Sequence, residues 1–262
     1  MESLRQIDRW PSAHAAAVVA GVASAQHGDR ERRYPWASVT KLATAVAVLV
    51  AAEEGVVDLE EPAGPPGSTL RHLLAHASGL PFEAGPPIAR PGQRRIYSNH
   101  GFEVAGALVG ERAGMPFEDY FHHVWAGTGI RLAGSPGAGG SGTIDDLREL
   151  AGELLQPTRL AAETLAEART VQFAGLDGVL PGFGRQSPND WGLGFELRDG
   201  KTPHWTGARC SPQTYGHFGR SGTFLWVDPV AGVALGALTD LDFGPWAAEA
   251  WPRLADDVLE AL

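Results

Sequence analysis

The sequence predicts an α+β fold: one antiparallel sheet built from both chain ends, flanked by helices, with a mainly helical insertion between them. Three observations lead there. Strand-like runs bounded by turn residues occupy the first 36 positions and return after about residue 190. The middle of the chain carries most of the helical periodicity. No internal repeat or disordered tail interrupts the 262 residues. The expected organisation is a sheet domain formed by 1–61 and 186–262, with 62–185 as the helical insertion. At 44% hydrophobic residues, the chain can bury a core of that size.

The elements follow in order. Residues 15–25 and 30–36 read as two strands of a hairpin around His27-Gly28-Asp29. The apolar stretch from Ala13 to Ala25 ends in Ala23-Ser24-Ala25, which mimics a leader cleavage site. Glu2 and Asp8 offset Arg5 and Arg9 before it, however, and it contains no leucine, so it reads as a core strand and the protein as cytoplasmic. From Val39 to Glu54 the run of Ala, Val and Leu without Gly or Pro reads as a buried helix stopped by Gly55. Its most apolar part, Leu42 to Ala52, is too short to span a bilayer.

A Pro/Gly loop follows, then a short helix after Ser68 and helices over 100–113 and 117–124. Thr143 with Asp146 three residues on resembles a capping box opening a helix from Ile144 to Leu155. "WGLGFELRDG", "YGHFG", "GTFLWVDP" and "GVALGALTD" read as short strands, and Arg253 to Leu262 as a closing amphipathic helix.

Composition excludes several classes. The net charge of −10 argues against nucleic acid and anionic membrane surfaces as partners. Cys210 is the single cysteine, so neither an internal disulfide nor a cysteine-based zinc site can form. His72 and His76 stand at i, i+4 without a glutamate between them or an evident third ligand, so no metal and no cofactor is expected. The expected partner is a small-molecule substrate.

Chemistry concentrates in "YPWASVTKLATAVAVLV". The chain has two lysines against nineteen arginines, and one of the two, Lys41, stands three residues after Ser38. Residues i and i+3 share a helix face about 5–6 Å apart at Cβ, so the amine can reach the hydroxyl. A serine needs a base to take its proton, and a lysine serves only if its pKa is depressed. The apolar run after Lys41 supplies desolvation, and the positive end of the helix disfavours a nearby ammonium. The plain alternative is a capping serine beside a surface lysine. Ser-x-x-Lys arises by chance about 0.1 times in a chain of this composition, so the motif needs company.

It has company. Tyr97-Ser98-Asn99 stands immediately before a helix, offering a phenol to relay a proton and an amide to hold the lysine or a substrate carbonyl. The plain alternative makes Asn99 the helix N-cap and Tyr97 a packed aromatic. His217-Phe218-Gly219 lies on an expected strand, where the glycine would let a ligand approach the strand edge and His217 would add a donor or cation beside Ser38.

In this order, Ser38-Val39-Thr40-Lys41, Tyr97-Ser98-Asn99 and His217-Phe218-Gly219 resemble the serine β-lactamase and penicillin-binding-protein superfamily. The resemblance is to its class C β-lactamase-like, esterase-rich branch. It covers about residues 15 to 240 and extends to "LLAHASGLP", "PGQRRIYSN" and "FLWVDP". It implies a β-lactamase/transpeptidase-like fold and an acyl-enzyme on Ser38, with Lys41 as general-base partner and Tyr97 protonating the leaving group. Asn99 would bind the acyl side of the substrate. The backbone N–H groups of Ser38 and of Arg220, which follows Gly219, would form the oxyanion hole, each worth about 10²–10³ in rate. The division of labour between Lys41 and Tyr97 stays open at this point.

Two departures shape the expected substrate. His217 stands where relatives often carry lysine, which makes the local charge pH-dependent. Arg220 occupies a position more often small, and could block the cleft or bind a carboxylate. Lys201-Thr202-Pro203 imitates the usual lysine motif but follows the turn Asp199-Gly200, and Pro203 lacks the N–H a ligand-binding edge needs. The expectation is a serine hydrolase of small esters or amides. A true β-lactamase or D-Ala-D-Ala carboxypeptidase is the alternative, and a non-catalytic ligand-binding protein is the alternative of another class.

Overall fold

The structure is a computed structural model and describes all 262 residues. After a 3-10 helix (Glu2–Arg9) come β1 (Ala15–Gly21), β2 (Ala25–Gly28) and β3 (Tyr34–Pro35). A 3-10 turn (Ala37–Val39) leads into α1 (Thr40–Glu53). α2 (Leu70–Leu74), α3 (Asn99–Ala113), α4 (Phe117–Val124), β4 (Arg131–Leu132), β5 (Gly140–Gly142), α5 (Ile144–Leu155) and α6 (Ala162–Ala168) make up the middle. The chain finishes with β6 (Gly178–Leu180), β7 (Gly184–Gln186), β8 (Glu196–Leu197), β9 (Tyr215–Gly219), β10 (Thr223–Asp228), β11 (Val233–Thr239) and α7 (Pro245–Glu260).

The main sheet has six strands in the order β2-β1-β11-β10-β9-β8, every neighbour antiparallel. The two chain ends meet at its centre, where Ala15 to Gly21 pair with Thr239 to Val233. Strand alternation then sorts the side chains. Ala16 and Val18 join a core with α1, α3 and α5, whereas Ala17 and Val19 join a second core with α7 and the N-terminal 3-10 helix. The α+β architecture with an antiparallel sheet from both chain ends is therefore present. α5, although within 62–185, packs directly on β1, β10 and β11.

Several expected boundaries hold: α1 ends before Gly55, α4 and α5 span the anticipated residues, and Thr143 and Asp146 form the capping box. Two do not. The first hairpin turns at Val22-Ala23-Ser24, and His27-Gly28 belong to β2 rather than to its turn. The second expected strand shrinks to β3 and pairs with β5 in a separate small sheet. Gly21 has φ 115, so the chain reverses earlier than the later Gly-Asp pair suggested. The closing helix also begins at Pro245 and continues through Pro252, which reads as a breaker in sequence. No helix is long and apolar enough to cross a membrane.

Candidate active site

The segment around Ser38 is held on both sides. Trp36 N–H donates to the Gly140 carbonyl at 2.8 Å, and Thr40 Oγ1 donates to the Ala37 carbonyl. Ala37 sits at φ 44, left-handed backbone that a non-glycine residue adopts only when its surroundings impose it. Gly219 shows why: a Cβ there would lie 2.4 Å from the Trp36 carbonyl oxygen and 3.1 Å from the Ala37 Cβ. The glycine is thus required by the approach of the Ser38 segment to β9. Thr223 Oγ1 donates to the same Trp36 carbonyl at 2.9 Å and completes the clamp.

Ser38 lies in the 3-10 turn just before α1, and Lys41 falls in the first turn of α1. Lys41 Nζ is 3.2 Å from Ser38 Oγ, 2.5 Å from Asn99 Oδ1 and 2.8 Å from the Gly137 carbonyl oxygen. The lysine is fully buried and no carboxylate touches it. Burial drives its pKa well below the usual lysine range, with Glu103 opposing more weakly. Tyr97 Oη donates to Ser38 Oγ at 2.7 Å. Burial raises the Tyr97 pKa, so the side chain is a phenol rather than a phenolate.

The Tyr97-Ser98-Asn99 run divides three tasks. Tyr97 and Asn99 face the Ser38–Lys41 pair, while Ser98 caps α3 by accepting from Gly101 N–H and donating to the Pro81 carbonyl. The cap is therefore Ser98, not Asn99. His76, at φ 55, accepts the Ser98 N–H on Nδ1 at 3.1 Å and lies against the Tyr97 ring.

His217 lines the same cavity as Ser38, with its ring centroid 5.6 Å from that of Tyr97. It does not hydrogen-bond to Ser38. Its Nδ1 donates to the Phe218 carbonyl at 2.6 Å, and burial together with Lys41 pushes its pKa down to about 3. The expected cation is therefore a neutral imidazole. The Arg220 side chain is 87% exposed and points to Asp242, 3.5 Å away, so it neither blocks the cleft nor supplies a buried charge. The N–H groups of Ser38 and Arg220 donate to no carbonyl in the surrounding turns.

The cavity, about 410 Å³, is of ordinary small-ligand size. A sequence profile for the beta-lactamase family matches residues 8–130 and 122–260. The chain belongs to the beta-lactamase family. The crystal structure of a beta-lactamase from Mycobacterium bovis is 51% identical, with 99% of this chain and 98% of that one covered at a TM-score of 0.96. A mutant of simvastatin synthase from Aspergillus terreus shares the fold at 16% identity, TM-score 0.77, covering 99% and 93%. So does a penicillin-binding protein from Bacillus halodurans at 16% identity, TM-score 0.75, covering 100% and 99%. No curated protein matches the chain.

Two parts of this beta-lactamase-family site escape a reading of the sequence. The Gly137 carbonyl that holds Lys41 comes from a Gly-rich loop 96 residues away, with no side chain to mark it. Arg95 looks like half of a solvent-facing Arg-Arg pair. It is instead buried, donating to the carbonyls of Ala75, Gln172 and Asn189 and bracing the segment before Tyr97. A buried guanidinium spread over several carbonyls leaves no local periodicity to find.

Proposed function

We propose that the chain is a serine hydrolase working through an acyl-enzyme on Ser38, with esters as its preferred substrates. The observation that carries this reading is the set of contacts around Lys41. Asn99 Oδ1 and the Gly137 carbonyl can only accept, so they take two hydrogens of a neutral amine. The amine lone pair is then left for the third neighbour, the Ser38 hydroxyl. Lys41 acts as the general base: burial holds it neutral, and Asn99 and Gly137 fix its rotamer.

Proton flow follows. Ser38 gives its proton to Lys41 and attacks the ester carbonyl, whose oxygen lies between the N–H groups of Ser38 and Arg220. Tyr97, a phenol in contact with Ser38 Oγ, passes its proton to the departing alkoxide, and the proton that Lys41 took from Ser38 returns to Tyr97, whose ring centroid lies 4.7 Å from Nζ. Water repeats the sequence in reverse and frees Ser38. Asn99 flanks the acyl group while it holds Lys41.

Esters are favoured because the cavity offers no fixed cation to a substrate carboxylate. His217 is neutral and Arg220 turns outward. A β-lactam reading has its own support in the 51% identical beta-lactamase of Mycobacterium bovis.

The test compares kcat/KM for p-nitrophenyl acetate and butyrate with that for a chromogenic cephalosporin at pH 7. Esters should lead by at least tenfold, and intact-mass analysis should place the trapped acyl group on Ser38. Equal or faster cephalosporin hydrolysis hands the assignment to a β-lactamase. No adduct with any acylating or fluorophosphonate reagent hands it to a non-catalytic binding protein.

A further inference from the structure

The walls of the cavity say more about the substrate than its catalytic edge does. Beyond Ser38 and Tyr97, the lining is Phe82, Leu180, Pro181, Trp191, Phe218 and Phe243. These side chains come from distant parts of the chain and are separately fixed. Phe82 stacks on Tyr97 with centroids 5.8 Å apart, and its carbonyl accepts from Asn99 and His100 N–H, which ties it to the start of α3. Leu180 and Pro181 form the tip of the β6–β7 hairpin. Phe243 packs on Phe218 at 5.0 Å, and its N–H donates to the Arg220 carbonyl, which ties that wall to the oxyanion segment.

The one cationic side chain that also lines the cavity, Arg220, stands at its solvent rim, 87% exposed and turned to Asp242. Glu196 also borders the cavity, but one carboxylate oxygen is taken by Lys201 and the other by His204 and Trp205. A substrate carboxylate or ammonium pushed against these rings would lose its water without gaining a partner. An alkyl or aryl group would shed its water favourably, by about 0.8 kcal/mol per methylene.

We propose that this cavity is an apolar selectivity pocket, and that the preferred substrate is an ester with a medium-length alkyl or an aryl substituent lying between Phe82, Leu180 and Phe243. The inference rests on the ester reading above and narrows it. Gly182 and Phe243 set the depth of the pocket. Gly182 lies at the hairpin tip with φ 78, and a Cβ there would sit 2.6 Å from Phe243 Cε1. Added bulk at Gly182 must therefore displace the Phe243 ring.

The experiment uses two series on the intact enzyme: p-nitrophenyl esters from acetate to octanoate, and acetate esters of methanol to hexanol. In one of the two, kcat/KM should climb about fourfold per methylene until the cavity is filled, then level off. Gly182→Ala should change the hexanoate-to-acetate ratio in one direction and Phe243→Ala in the other, the narrowed pocket preferring the shorter chain. Phe82→Ala, at a half-exposed position, lowers the ratio without touching the core. Binding to Ser38→Ala by calorimetry, tighter for p-nitrophenyl hexanoate than for the acetate, reads the pocket independently of turnover. Flat profiles in both series with acetate still hydrolysed, or equal affinities in Ser38→Ala for the short and long members of both series, overturn the pocket and leave the ester reading standing. Tighter hexanoate binding without turnover of any ester overturns the hydrolase and leaves the pocket.

Discussion

The only two lysines of this chain are both buried, and they live in opposite surroundings. Lys201 meets the Glu196 carboxylate along with the carbonyls of Asp190 and Leu197, while His204 and Trp205 occupy the other carboxylate oxygen. Lys41 meets an amide oxygen, a carbonyl and a hydroxyl, and no carboxylate. Burial is therefore not what separates a base from a strut. Lys201 with its carboxylate partner holds two segments together, whereas burial without such a partner pushes the Lys41 pKa well below the usual lysine range. Lys201 cross-links β8 to the loop before β9, and Lys41 is free to work on Ser38.

The largest effects should come from erasing that contrast on the Lys41 side. Ser38→Ala and Lys41→Ala should each lower kcat by about 10⁴-fold or more with the circular dichroism spectrum unchanged. Lys41→Arg should be as inactive, because a guanidinium keeps its proton. Lys201→Met should do the reverse, lowering unfolding stability by about 3–5 kcal/mol through the stranded Glu196 carboxylate. Its kcat in the folded fraction should stay within about tenfold of the parent. Adding Glu196→Gln to Lys201→Met should restore part of the lost stability. A Lys201→Met enzyme that is stable but dead would erase the distinction.

Asn99→Ala tests what keeps Lys41 aimed, and should cost about tenfold to a hundredfold in kcat. pH separates the two lysines differently. His204 and Lys201 hold the Glu196 carboxyl down to about 2 against the opposing cost of burial. Its contribution to stability is complete above the ordinary carboxylate range and is lost as pH falls towards 2. Lys41 must be unprotonated to work, and its pKa is depressed, so kcat/KM should rise with pH through an ionisation well below the ordinary lysine range. Glu196→Gln should flatten the acid limb of stability, read by thermal midpoint, and leave the limb of kcat/KM where it was. The smallest effect belongs to Arg220→Ala. With its side chain in solvent and only its N–H at the site, ester kcat/KM should change by no more than about threefold.

The same contrast shows what the sequence makes legible. Ser38 and Lys41 can be paired by eye because helix geometry converts a spacing of three into a contact. Lys201 can be set aside because Pro203 is unfit for a ligand-binding edge, although nothing local announces that Glu196 and His204 will surround it. Tyr97 and Asn99 are visible as chemistry before a helix, but Ser98 takes the cap because its shorter side chain reaches Gly101 N–H. The charge of His217 could not be read at all. It depends on the Phe218 carbonyl and on the fields of Lys41 and of burial, which exist only once β9 lies beside α1. The early turn at Val22-Ala23-Ser24 was hidden by the stronger turn residues at His27-Gly28-Asp29, which end β2 instead.

The pairing of β1 with β11 has a consequence for how the chain comes into being. Ala15 lies opposite Thr239, so an interior ladder of the sheet joins stretches separated by almost the whole polypeptide. During synthesis β1 and β2 leave the ribosome long before their partner, and α1, with Ser38 at its mouth, precedes by more than 150 residues the strand it packs against, β9. Loop closure over such a span is slow, and an unpaired β1 edge offers itself to other chains meanwhile. Ser38, the proposed nucleophile, is thus among the first parts of the site to be made and among the last to be set in place.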